Sequence, residues 1–185
     1  FRRRIHVTRF RSIVLSVIAT VVTASAGIAQ TPSSFKSEIS QQFEASATKV
    51  LALAEAMPEQ SYGWSPMEGV ASVVSVYMHI SRYNYMYPEE NLGVPSPMGA
   101  PAYGRWEDEV TTKAEAVAIV AASMDHVRSV IANMSDAELN AGTRLYGRDV
   151  GKWSVLLQLV AHMNEHLGQS VAYARSNGVT PPWSM

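Results

Sequence analysis

Apolar side chains recur at steps of three and four over four long stretches of this chain, which is the spacing of one face of a helix. The first stretch carries Phe35, Ile39, Phe43, Ala47, Val50, Leu51, Ala54 and Met57, and Pro58 ends it. A second begins after Ser72, whose hydroxyl suits a helix N-cap. It places Val76, His79, Tyr83 and Met86 on one stripe and stops at Pro88. Thr112 and Glu115 have the spacing of a capping box and open a third helix running to about Met134. Ser135 and Glu138 repeat the device for a short helical turn. The fourth helix is expected to start at Ser154 and to run to about Asn177. There Gly178 offers a left-handed cap, and Pro181 and Pro182 prevent continuation.

No sustained period-two alternation marks a strand. The segment LYGRDVGKW, with glycines at 147 and 151, fits an extended piece or a small hairpin-like excursion. The predicted fold class is all-α, a four-helix bundle. Between residues 88 and 106 lies a long Pro/Gly-rich stretch with two readings: a lid or binding loop, and a crossover strap joining distant helix ends.

The first thirty residues change the picture of where the chain belongs. They hold Arg2, Arg3, Arg4, Arg9 and Arg11 and no acid, followed by the apolar run IVLSVIATVV and the small-residue stretch TASAGIAQ. That order is the pattern of a secretory signal peptide, with cleavage expected near Ala26 or Ala29. Residues 1–30 are thus read as an address and 31–185 as the bundle domain, exported to the periplasm or the extracellular space. The apolar run is short for a membrane span, so no stable anchor is expected after cleavage. Removing five of the fifteen basic residues leaves ten against sixteen acids, a net charge of −6. An acidic body is a poor partner for nucleic acid. The chain has no cysteine, which excludes disulfide scaffolds, thiolate metal sites, a thiol nucleophile and a lipoprotein anchor.

The chemistry concentrates in histidines. His6 lies in the signal segment, and His126, beside Asp125 and Arg128, reads as a partly exposed surface residue. His162 and His166 stand four apart in the fourth helix, one above the other on the face that continues Val155 and Leu159. His79 sits on the inward stripe of the second helix. Ser72 precedes His79 by seven residues and Ser154 precedes His162 by eight. Helix caps at equal height would therefore bring three imidazoles to one level. Three neutral imidazoles and an open position describe a catalytic-type zinc site, and nickel suits the same ligands. The competing reading is a set of hydrogen-bonded core histidines, although burying three of them unpaired is costly.

His162-Met163-Asn164-Glu165-His166 also matches the inverted-zincin pattern, in which the glutamate is a general base. That enzyme class needs an acidic ligand downstream, and no Asp or Glu follows Glu165. Glu165 stays as a lesser catalytic candidate or as a carboxylate that orients a ligand imidazole. No Glu-x-x-His pair is present, so a di-iron carboxylate bundle does not fit.

The segments WSPMEGVASVVSVYMHIS, TTKAEAVAIVAASMDHVRSVI and LLQLVAHMNEHLGQSVAYARSNGVTPPWS resemble the DinB-like (YfiT-like) metal-binding four-helix bundles, from about residue 35 to 184. The resemblance implies that His79, His162 and His166 bind a divalent metal, commonly zinc or nickel. Leu167 departs from it, because many relatives carry an arginine before the Gly-Gln pair. Some members of the family resemble thiol-dependent transferases or isomerases, others are described as metal-dependent hydrolases, and many have no known reaction. An exported chain would rarely meet a cytosolic thiol. The reading is therefore a metal-dependent enzyme acting on a small molecule, with Tyr83, Asn84 and Gln169 as candidates for shaping its pocket. The alternatives are a metal- or ligand-binding module without turnover, a thiol-dependent transferase, and a structural bundle. The last is a homodimer formed through Tyr83, Tyr85, Tyr87, Trp106 and Trp183.

Overall fold

A computed structural model describes residues 34–184. The signal-peptide assignment, its cleavage sites and His6 fall outside the described residues. Four long helices carry the fold: α1 (Phe35–Ala56), α2 (Val73–Tyr87), α5 (Lys113–Asn133) and α7 (Lys152–Ser176). Between α2 and α5 lie two single-turn helices, α3 (Ala100–Tyr103) and α4 (Trp106–Glu109). A short helix α6 (Asp136–Asn140) precedes a hairpin of β1 (Gly142–Leu145) and β2 (Arg148–Gly151). No helix among the described residues is long and apolar enough to cross a membrane.

The periodic apolar residues become the core. Val50, Leu53, Met78, Val120, Val127 and Val155 are almost fully withdrawn from solvent. The four helices pack in a ring, α1 against α7, α7 against α2, α2 against α5 and α5 against α1. Side-chain contacts give the directions. Phe35 meets Trp153 and Ser46 bonds Asn164, so α1 and α7 are parallel. Lys36 reaches Ala132 while Lys113 reaches Glu55, so α1 and α5 are antiparallel. Tyr173 bonds Ala71 while Tyr87 lies by His162, so α2 and α7 are antiparallel.

It follows that α2 and α5, adjacent and consecutive, are parallel. A parallel pair cannot be joined by a tight turn. The chain must return along the whole of α2, about 22 Å for its 15 residues. That requirement explains the long Pro/Gly-rich stretch, which is a crossover strap. It is not structureless: it contains a π-helical turn at Pro88–Leu92 and then α3 and α4. Pro88 thus ends the α-helical pattern of α2 without ending its helical course.

One local expectation is corrected, and two others take a definite form. Gly151, not Ser154, is the N-cap of α7, and the Lys152 N–H goes to the carbonyl of Ala141 at 2.9 Å. The helix starts as soon as the β2 ladder ends, and Ser154 falls inside its first turn. The stretch around LYGRDVGKW is a true hairpin, in register Leu145↔Arg148. Its two-residue turn, Tyr146 and Gly147, has φ of 50° and 77°, a primed turn whose twist suits paired strands. At Ser135 the reciprocal capping box forms in full, whereas Thr112 contributes the forward bond to the Glu115 N–H.

Gly178, at φ 74°, closes α7 as expected. Its N–H reaches the carbonyl of Arg175 and that of Val179 reaches Ala174, the two bonds of a Schellman motif.

Candidate metal centre

His79 comes from α2 and His162 and His166 from α7. Ring centroids lie 5.1 Å apart for His79 and His162, 4.7 Å for His79 and His166, and 4.6 Å for His162 and His166. One ring nitrogen from each falls within 4.8 Å of the other two, a spacing that lets them hold a single ion. The reason for this convergence differs from the equal-cap argument. The helices are antiparallel, and Gly151 caps α7 eleven residues before His162. The rings meet because the N-terminal half of α2 crosses the middle of α7.

His162 is the deepest of the three, 9% exposed. Burial, reinforced by the neighbouring imidazoles, pushes its pKa down to about 4. It is therefore neutral at pH 7, the form that offers a lone pair. His79 and His166 are half-buried.

Two hydrogen-bond chains set the ring tautomers. The Ala71 carbonyl can only accept, so it takes the Tyr173 hydroxyl proton at 3.0 Å. Tyr173 oxygen then accepts from Gln169 Nε2 at 2.8 Å, which turns Gln169 Oε1 toward His166 Nδ1 at 2.9 Å. His166 must donate from Nδ1, leaving Nε2 free. On the other side, Glu107 Oε1 sits 3.0 Å from His79 Nδ1 and 3.1 Å from Arg82 Nη1. Hydrogen bonding to His79 first, then the bond and charge of Arg82, hold the Glu107 carboxyl below its ordinary range against the opposing effect of burial. An ionised carboxylate only accepts, so His79 also donates from Nδ1 and keeps Nε2 available.

Glu107 is a neighbour of the histidine cluster that the sequence reading did not single out. It stands 28 positions from His79, in a segment with no helical periodicity. The signal available was the need for a carboxylate behind a ligand imidazole, which reasoning directed to Glu165. Glu165 is exposed on α7, and the carboxylate that touches a site imidazole is Glu107. Gln169 lies beside the histidines, bonded to His166 Nδ1. Tyr83 flanks two of the imidazoles, with its ring 4.6 Å from His79 and 4.4 Å from His162. Asn84 does not join them, since its amide bonds Ser123 Oγ at 3.0 Å in the α2–α5 interface.

His126 is half-buried, in keeping with a partly exposed residue. It stacks on Tyr85 at 4.8 Å, its Nε2 is shielded from solvent, and burial pushes its pKa down. Tyr85 and Tyr87 are buried within the chain, Tyr83 and Trp106 are half-buried, and Trp183 is 39% exposed.

The family model of the DinB superfamily matches residues 42–174. A DinB-like protein from Bacillus cereus superposes with a TM-score of 0.68 at 17% identity, over 79% of this chain and 95% of the other. YfiT from Bacillus subtilis, described as a probable metal-dependent hydrolase with an unusual four-helix bundle topology, gives 0.61 at 15% identity, over 82% and 93%. The mycothiol-dependent maleylpyruvate isomerase gives 0.57 at 12% identity, over 74% and 62%. Among curated proteins no sequence matches the chain.

Proposed function

Since the chain belongs to the DinB superfamily, we propose that it holds one divalent metal ion, zinc or nickel, between His79, His162 and His166 and acts as a metal-dependent hydrolase. The observation that carries this reading is the approach of three imidazole nitrogens to within 4.8 Å from two helices. The fixed tautomers of His79 and His166 and the neutrality of His162 suit the same purpose. An ion bound there supplies a Lewis acid and an activated water. The chain's own residues do the rest. Glu107 and Gln169 keep two rings from turning. Arg82 holds the Glu107 carboxylate in place. His79 and His166 leave one side open to a small molecule, while the core behind His162 excludes solvent. The description of YfiT as a probable metal-dependent hydrolase supports the choice of reaction class. The order of basic, apolar and small residues over positions 1–29 supports a periplasmic or extracellular location.

The test is metal analysis of protein purified without a histidine tag and loaded with zinc or nickel, followed by ester and amide substrate panels. About one ion per chain is expected, with His162→Ala far below that. Failure to retain metal sinks the reading. Retained metal with thiol transfer as the only turnover replaces hydrolase by transferase, and no turnover at all leaves a binding module.

A further inference from the structure

Alongside the three imidazoles the site has one wall that takes no part in holding them. Tyr83 lies one turn beyond His79 on α2, half-buried, with its ring against both His79 and His162. The ring has further neighbours besides the imidazoles. Tyr87, 1% exposed, packs on it at 5.1 Å, and the Arg82 guanidinium lies 5.7 Å from its centre. Tyr87 is in turn fixed, because its hydroxyl is hydrogen-bonded to that of Tyr146 at the hairpin turn. Tyr146 adopts φ 50°, a left-handed conformation that a bulky side chain rarely takes, and is 63% exposed. The two-residue primed turn of the hairpin imposes that conformation, and the turn seats the Tyr146 phenol on Tyr87 and through Tyr87 braces the ring beside the site.

A braced ring next to an open metal site discriminates by shape. Planar π systems pair with it edge-on or offset, with a gain beyond the area they bury, whereas a puckered ring of equal size gains only burial. We infer that Tyr83 is the specificity-determining wall of the site, and that the molecule accommodated presents a planar aromatic or conjugated group to it while its polar head meets the three-histidine centre. The inference rests on the metal reading above.

The experiment uses cobalt-substituted protein and two probes, benzohydroxamate and cyclohexanecarbohydroxamate, which share a metal-binding head and differ in ring planarity. Visible absorption of the cobalt first reports that the metal is bound. Its absence overturns the metal reading and this inference with it. With cobalt bound, the aromatic probe should bind roughly fivefold tighter than the saturated one. Tyr83→Phe should keep that ratio. Tyr83→Leu should retain the cobalt spectrum and bring the ratio to about one. Equal affinities in the parent protein, or a ratio unchanged in Tyr83→Leu, would overturn the inference and leave the metal site standing. Should Tyr83→Leu fail to fold, loss of the ratio in Tyr83→Phe also counts against it, because the ring and not the hydroxyl is the proposed contact.

Discussion

Glu107 shows how much a single side chain can matter without touching the proposed ion. Its carboxylate joins His79 and Arg82 through one oxygen. It fixes the imidazole tautomer and makes the ring a better ligand. Partners of this kind are worth roughly 10–100-fold in metal affinity. Glu107→Gln keeps an acceptor but removes the charge, so metal affinity should fall within that range. Competition against a chromophoric chelator measures it, and a dissociation constant within about twofold of the parent would rule the role out. At this scale the three histidines were legible from their positions on apolar stripes, and Gln169 from its nearness to His166. Glu107 was not, because nothing local distinguishes it from Glu89, Glu90 or Glu109 on the same strap.

Among the elements, the strap and the hairpin do what the four long helices cannot. The strap returns along α2, placing Tyr103 and Trp106 against Tyr85 and Glu107 against His79. The hairpin is tied to the turn after α2 by bonds between Asn91 and both Arg144 and Thr143, and it sets Tyr146 on Tyr87. Helix ends were more legible where a side chain or a glycine sets them. Ser72 and Thr112 cap as expected, and Gly178 supplies the left-handed residue after α7. Gly178→Ala should therefore cost about 1–2 kcal/mol, the penalty for a Cβ at positive φ. Chemical denaturation at neutral pH checks this, and an unchanged midpoint would contradict the Schellman assignment. The start of α7 was misplaced at Ser154 because the cap there is a backbone bond made by the end of a strand, which no side-chain pattern announces.

For the molecule as a whole, burying a neutral His162 links stability to pH. In the unfolded chain a histidine takes up its proton near pH 6.5. In the folded protein His162 does so near pH 4. Below pH 6.5 the unfolded state therefore binds more protons, and acid favours unfolding. The metal-free protein should lose stability progressively from about pH 6.5 down to about pH 4, on the order of 3 kcal/mol from this residue. Its neighbour Glu107, with a depressed pKa, contributes in the same direction at the lower end. Denaturation midpoints of metal-free parent and His162→Ala, compared across that range, test the linkage. Parallel curves would refute it.

The helix-forming periodicity, the main breaks and the inward stripes bearing His79, His162 and His166 are written locally, since each depends on side chains within a few turns of one another. The sequence alone therefore determined that the chain is a helical bundle with three histidines facing its interior. Direction and adjacency are not local. Only packing decided that α2 and α5 run parallel, that the connection between them must travel back past His79, and that a glutamate from it closes on that ring. Those outcomes depend on which apolar faces bury each other best, a choice made by the whole core at once.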